Sequence, residues 1–313
     1  MPQPLLSRVR AFLPPPPGPG TPGDAGLFGP GTAAWRVGRE RVLLLAGPAA
    51  LLLQVAHPLV AAGVTAHSDF TGDPLRRLRG TLDAVLTVTF GDREQAHDAA
   101  RRVGRRHAPV RGALAEEAGP FGAGTAYTAH DPALAQWVWA TLVWSALRTT
   151  DVLVRRVPDP ERDAYVRDMH RFGRLFGVQA AVPADAAGLE AYVQAHVEGV
   201  LAVGAPARTL ADQVLRPQPP LLPRPLRGAP GFLAAALLPD PVRTAARTGR
   251  LGGAAAGRAP RSARPARRGA HVAARPGRGR PGQRIGYQRA PNRRVTRLVS
   301  TSTSVSTRAT TAR

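Results

Sequence analysis

The chain contains no cysteine and no lysine among its 313 residues. Without cysteine it can form no disulfide, and it cannot hold a Cys-ligated zinc, an iron–sulfur cluster or a thiolate-ligated haem. A metal in this chain would need histidine, carboxylate or another oxygen donor. All 43 basic residues are therefore arginines, a bias that we interpret as the signature of a GC-rich coding sequence rather than of selection for guanidinium chemistry.

Acidic residues are absent after Asp240. Residues 241–313 carry 18 arginines and no acid, whereas residues 1–240 carry 25 arginines and all 21 acids. The net charge of +22 thus belongs mostly to a tail of Arg, Ala, Gly and Pro, which cannot bury enough surface to offset its ordering entropy and is predicted to be disordered. One alternative function is that this arm binds nucleic acid or another anionic surface by counterion release. Tyr287 is its only aromatic residue, so base stacking would be poor.

Long apolar runs are scarce. The N-terminus has none that could serve as the core of a signal peptide, and this favours a cytoplasmic protein. The segment 42–66 reaches membrane-spanning length, but Gly47-Pro48 and His57-Pro58 interrupt it, and we interpret it as a buried, kinked core helix. We divide the chain into a flexible Pro/Gly-rich leader (1–34), a helical domain (35–240) and the Arg/Pro/Gly-rich tail (241–313).

The body has the apolar periodicity of helices and no convincing alternation of strands. The sequence therefore predicts an all-α fold in a single helical domain. Asp73-Pro74, Asp131-Pro132 and Asp159-Pro160 each combine an N-cap acceptor with a proline at the first helical position. Predicted helices cover Glu40–Gly63 (broken), Pro74–Phe90, Arg93–His107, Pro132–Val154, Pro160–Phe176, Leu189–Val203 and Ala207–Leu215.

Two pairs with helical spacing are candidates for a site. Arg77 and Thr81 are four residues apart on one predicted helix and share a face. His107 and Arg111 have the same spacing, although Pro109 lies between them. An imidazole is a common ligand of haem and non-haem iron, and an arginine beside it could hold a propionate. The alternative is that His107 and the two arginines before it form a solvated face at a helix C-terminus, where cations are favoured.

The remaining candidates are weaker. We interpret His57, directly before Pro58, as a core histidine bonded to a backbone carbonyl, and keep it as a second candidate for cofactor binding. His67-Ser68-Asp69 has the spacing of part of a two-His-one-carboxylate iron site, but a turn or N-cap role for Ser68 and Asp69 is favoured. Glu94 and His97 resemble half of a di-iron motif without its second half. Three tryptophans, Trp137, Trp139 and Trp144, share one apolar helix and are interpreted as core residues.

Four stretches together resemble the rubber-oxygenase family. They are GPAALLLQVAHPLVAAGVTAHSDFTGDPLRRLRGTLDAVLTVTFGD, HAPVRG, AYTAHDPALAQWVWATLV and RDMHRFGRLFGV. They are most similar to a bacterial branch of that family. The family as a whole also contains latex-clearing protein and a fungal membrane-bound oxygenase of mycophenolic acid biosynthesis. The resemblance covers roughly residues 35–240.

The resemblance implies an all-α, globin-reminiscent fold and a b-type haem whose iron has an axial histidine. Carried over residue by residue, it implies that Arg77 and Thr81 lie on the distal side of the haem. It implies that His107 is the proximal iron ligand, with Arg111 beside it. The expected function is that of an oxidoreductase, a haem-dependent oxygenase that acts with dioxygen on an apolar substrate.

The chain departs from the family in two places. Bacterial relatives read Trp-Val-His-Ala-Thr where this chain has Trp139 in place of the histidine. Relatives also continue in helical sequence where this chain changes to its Arg/Pro/Gly tail, a composition typical of a GC-rich gene read in another frame. A frameshifted C-terminus and a degenerate, cofactor-free paralogue therefore stay open as alternatives.

Overall fold

A computed structural model describes residues 15–67, 74–179, 182–215 and 228–248. The side chains of residues 41, 74–78, 230 and 246–248 lie outside this description. All described residues belong to one unit, which spans Met1–Arg258. The predicted disorder of the tail falls almost entirely on residues outside the described part of the chain.

The described ranges contain eleven α-helices, one 3-10 helix and one two-stranded sheet. In chain order they are α1 Ala33–Gly38, the 3-10 helix Arg41–Leu45, α2 Ala46–Ala56, α3 Pro58–His67, α4 Pro74–Phe90, α5 Arg93–His107, β1 Arg111–Ala113, β2 Ala126–Thr128, α6 Pro132–Leu153, α7 Asp159–Leu175, α8 Ala186–Gly199, α9 Ala205–Leu215, α10 Ala229–Leu237 and α11 Asp240–Thr248. The all-α prediction is confirmed. Helices α4 and α5 have the predicted bounds, and α11 continues past residue 240.

One of the two described Asp-Pro start signals is confirmed and the other is wrong by one residue. Asp131 is the N-cap of α6, where its Oδ1 accepts hydrogen bonds from the amides of Ala133 and Leu134. In α7 the N-cap is Pro158, which offers no side-chain acceptor, and Asp159 is already the first helical residue. Asp73 lies outside the described residues.

The antiparallel pair of strands was not predicted. Arg111 pairs with Thr128, Gly112 with Tyr127 and Ala113 with Ala126. Each strand has only three residues, which is too short to show an alternation of polar and apolar side chains. We call residues 111–128 the hairpin and residues 114–125 its loop.

The prediction of a flexible leader is wrong for its second half. The Asp92 carboxylate at the start of α5 accepts a hydrogen bond from the Thr21 amide (2.8 Å), and the Arg93 amide donates to Asp24 (3.1 Å). Phe28 is completely buried. The segment is held to the start of α5 because the Thr21 amide donates to the carboxylate that caps this helix, and because Asp24 accepts from the Arg93 amide.

The core forms where α2 lies along α6. Small residues on α2, such as Ala49 and Ala56, let it approach the large side chains of α6, among them Trp137 and Val143. Trp139, which stands where bacterial relatives have a histidine, is buried as well. Its indole N–H donates to the Met169 carbonyl on α7 (2.8 Å). The three tryptophans are therefore core residues, as predicted.

The apolar segment 42–66 is bent at His57-Pro58, as predicted, whereas Pro48 lies within the first turn of α2. Residues Val42–Ala56 and α3 have the length and composition of a span only when taken together, and their axes differ by 104°. No single helix in the described ranges is long and apolar enough to cross a membrane.

Candidate functional site

The first candidate site lies where α4 and α5 pack as an antiparallel pair. The two helices are joined by Gly91 and Asp92 alone, so the end of α5 returns along the beginning of α4. A Cβ placed on Gly80 would lie 3.4 Å from Nη1 of Arg106. This close approach brings Thr81, next to Gly80, to the same end of the pair as His107.

The predicted residues at this end are exposed. Thr81 is exposed on α4, and His107 is the exposed last residue of α5. Arg111, the first residue of β1, is exposed as well. Arg77 lies in α4, but its side chain is outside the description.

The charge at this end is positive. The last two turns of α5 carry Arg101, Arg102, Arg105, Arg106 and His107 and no acid. Cations at a helix C-terminus are favoured by the helix dipole, so part of this pattern follows from helix electrostatics alone. Exposed arginines of this kind can also bind anionic groups.

The backbone that carries Arg111 is held from two sides. Nε2 of His67, at the end of α3, lies 3.0 Å from the Arg111 carbonyl and donates to it. The carbonyl of the preceding residue, Val110, accepts from the Ala129 amide (2.9 Å). The position of Arg111 is thus set by α3 and by the hairpin together. His67 was noted in the sequence only as part of a metal motif, and its proposed companions Ser68 and Asp69 lie outside the described residues.

Gly112 lets a tyrosine lie across the first strand. A Cβ at Gly112 would be 2.6 Å from the Tyr127 hydroxyl oxygen and 2.8 Å from Cζ. Tyr127 is buried, and its ring meets His67 edge-on at 6.4 Å between centroids. Only glycine leaves room for this ring, because every other residue carries a Cβ.

The second candidate site is buried and surrounds His57. We call His57, Phe121, Trp137, Tyr192 and His196 the ring cluster. Ring centroids lie 5.3 Å apart for His57 and Phe121 and 6.4 Å apart for His57 and Trp137. The rings of Trp137 and His196 stack nearly parallel, 4.7 Å apart. His57 reaches this cluster because it is the extended residue between α2 and α3.

Both imidazoles of the ring cluster are neutral at pH 7. Burial and the neighbouring His196 lower the pKa of His57 to about 4. Burial lowers the pKa of His196 as well, although the Tyr192 carbonyl, 2.9 Å from Nδ1, partly opposes the shift. Because Nδ1 of His196 donates to that carbonyl, its Nε2 is an acceptor.

Two buried nitrogens of the cluster lack partners among the described residues. They are Nδ1 of His57 and Nε1 of Trp137. The hydrogen bond to a backbone carbonyl expected for His57 is therefore absent at Nδ1, although the backbone of His57 itself acts on the ring and raises its pKa, as the smallest of the three effects. Sequence reasoning also missed His196, since no spacing relates positions 57 and 196.

Neither site is a ready-made multidentate metal centre. Within the described ranges no group of three or more His, Cys, Asp or Glu residues could hold a metal ion. His97, one of the dismissed candidates, is exposed on α5.

Comparisons with known proteins give one family match. Residues 35–275 match the family model described as "ER-bound oxygenase mpaB/B'/Rubber oxygenase, catalytic domain". No curated protein and no solved structure matches the chain.

Proposed function

Because the chain belongs to the family of ER-bound oxygenase mpaB/B' and rubber oxygenase catalytic domains, we propose that it is a haem b-dependent oxygenase with His107 as the protein ligand of the iron. Membership of this family supports oxygenase-type activity. The observation that carries the assignment of the site is the α4–α5 pair, which brings the helix of Arg77 and Thr81 to the end of the helix that carries His107.

The residues at this end fit a porphyrin in their chemistry. His107 supplies one imidazole, and a haem with four ligands of its own requires no more than that from one face. Arg106 and Arg111 supply cations for the two propionates. Exposed ion pairs contribute only about 0–1 kcal/mol each, so ligation of the iron by His107 would have to provide most of the affinity.

Each residue then has a distinct task. The haem, when bound, supplies the iron chemistry of dioxygen activation. Arg111, whose backbone is held by His67 and by the hairpin, would bind a propionate. The Thr81 hydroxyl would donate a hydrogen bond to a polar atom of a bound ligand, and the family resemblance assigns Arg77, on the same helix, a related role. The substrate is apolar in this proposal, as the family resemblance implies.

The test is a titration of the purified full chain with haemin. We expect a Soret band in the wild type, the loss of most of that band in His107→Ala, and an unchanged band in His97→Ala. His97 is the matched control because it is an exposed histidine on the same helix. A wild-type protein that is folded but colourless contradicts the proposal. Equal bands in His107→Ala and the wild type contradict the choice of ligand.

A further inference from the structure

His57 lies at the bend between α2 and α3. His57 separates α2 from α3, whose axes differ by 104°. Its carbonyl accepts from the Ala61 amide (2.9 Å), and the neighbouring Ala56 carbonyl accepts from the Ala202 amide (3.0 Å). The bend is therefore bonded both to α3 and to the chain that follows α8.

The loop of the hairpin closes over this bend. Phe121 lies against the His57 ring. Gly119 has a φ of +56°, and a Cβ there would lie 3.1 Å from both the Val200 carbonyl oxygen and the Ala202 Cβ. A side chain at this position would be strained and would push the loop away. The loop is thus seated closely on the bend and on the end of α8.

No negative charge is available to a protonated His57. Of all titratable side chains in the described ranges, only that of His196 acts on the ring appreciably, and it opposes protonation. The charged groups on the elements packed around His57 (α6, α8, α9 and the hairpin) are exposed or paired elsewhere: Arg111, Glu116, Glu117, Arg148, Asp151, Glu190, Glu198, Arg208 and Asp212. An imidazolium among Phe121, Trp137 and His196 would be a buried, unpaired cation, and such a cation is strongly disfavoured.

We propose that His57 and His196 form a proton-operated latch for the hairpin. While both imidazoles are neutral, Phe121 stays seated on the bend between α2 and α3. When His57 takes up a proton, its ring must reach water, and the hairpin lifts to let it do so. Because β1 begins at Arg111, the movement also displaces Arg111. The latch itself needs no haem, and only its effect on Arg111 rests on the proposed function.

The size of the effect follows from proton linkage. A histidine with a pKa of about 4 in the closed state and about 6.5 in the open state shifts the opening equilibrium by about tenfold at pH 5.5 and by about 80-fold at pH 4.5. Opening is therefore nearly independent of pH above 7. It increases as the pH falls through 6.5 and stops increasing below about 4.

The test is hydrogen exchange on the haem-free full chain, corrected for the pH dependence of the intrinsic exchange rate. We expect the protection of the loop, residues 114–125, to fall at least tenfold between pH 7 and pH 4.5, while α7 keeps its protection. His57→Gln, whose side chain is neutral at every pH, should remove this difference. The control His97→Gln should retain it.

Three results would overturn the latch. They are an equal loss of loop protection in His57→Gln, a loss spread evenly over α7 as well, and no loss in the wild type. If His57→Gln does not fold, NMR titration of the wild type decides. The loop resonances must then shift with the same midpoint as the His57 imidazole, below pH 5, and a different midpoint rejects the proposal. Failure to bind haem leaves all of these outcomes unchanged and so tests only the proposed function.

Discussion

At the scale of single residues, the two candidate sites use histidine in opposite ways. The His107 side chain is exposed at the end of a helix. His57 is 5% exposed and is kept neutral by burial. An accessible imidazole suits coordination of an incoming cofactor, whereas a buried one suits a response to pH. In the sequence both are histidines in predicted helical segments. Only the packing of other elements shows that one is exposed and the other buried.

Gly112 is the residue on which the shape of the hairpin depends most. In Gly112→Ala the new Cβ would overlap the hydroxyl and Cζ of Tyr127, and the buried ring has little room to move aside. We expect a loss of about 1–3 kcal/mol in the free energy of unfolding, the usual cost of overpacking. Chemical denaturation of the full chain measures it.

Gly122→Ala is the matched control in the same loop. Gly122 is exposed, and a Cβ there would meet nothing within 4 Å. The expected change is within about 0.5 kcal/mol, as for most surface substitutions. Equal stabilities of the two variants would show that Tyr127 does not lie across Gly112.

At the scale of elements, identical dipeptides begin two helices in different ways. Asp131 caps α6 with two hydrogen bonds, whereas Asp159 makes no cap because α7 begins one residue earlier. The sequence alone predicts equal roles for the two aspartates. The difference arises because the N-cap must have an extended backbone, and in α7 it is Pro158 that adopts it.

Alanine substitutions distinguish the two aspartates. Asp131→Ala should lower the free energy of unfolding by about 1 kcal/mol through the loss of the cap. Asp159→Ala should cost only about 0.3 kcal/mol, since a carboxylate in the first turn retains a favourable interaction with the helix dipole. Thermal or chemical unfolding of both variants provides the comparison. Equal losses would contradict the different starts of α6 and α7.

Helices were predictable from the sequence to the extent that their signals are local. The bounds of α4 and α5 follow from Pro74 and from Asp92, whose capping box with Gln95 lies within four residues. The hairpin was not predictable, because strands of three residues have no period and Arg111, Gly112 and Ala113 are all exposed. The order of residues 15–30 was not predictable either, since it depends on Asp92, about 70 residues away.

At the scale of the whole molecule, the sites are assembled from distant parts of the chain. The spacing of His107 and Arg111 could be noted in the sequence, and the family resemblance gave it a meaning. The support that α3 gives to Arg111 through His67 could not be recognised in the sequence, because 44 residues separate His67 from Arg111. The ring cluster joins positions 57, 121, 137, 192 and 196, and no pattern of local sequence relates them.

The distribution of charge also has a meaning only at this scale. The net charge of +22 suggests a nucleic-acid-binding protein, but residues 1–240 carry 25 arginines against 21 acids. Within this nearly balanced body, the arginines of α5 concentrate positive charge beside His107. Binding of a polyanion, which needs many phosphate contacts for affinity, would therefore depend on the 18 arginines of residues 241–313 rather than on the body.

The most direct measurement of the central claim is the rescue of a His107→Gly variant by free imidazole. The account predicts that this variant folds, as judged by circular dichroism, and retains no Soret band after incubation with haemin and gel filtration. Adding imidazole during the incubation should restore a protein-bound band, because the free ligand replaces the missing side chain at the iron. A His107→Gly variant that binds haem as the wild type does, or one whose binding imidazole fails to restore, would contradict ligation of the iron by His107.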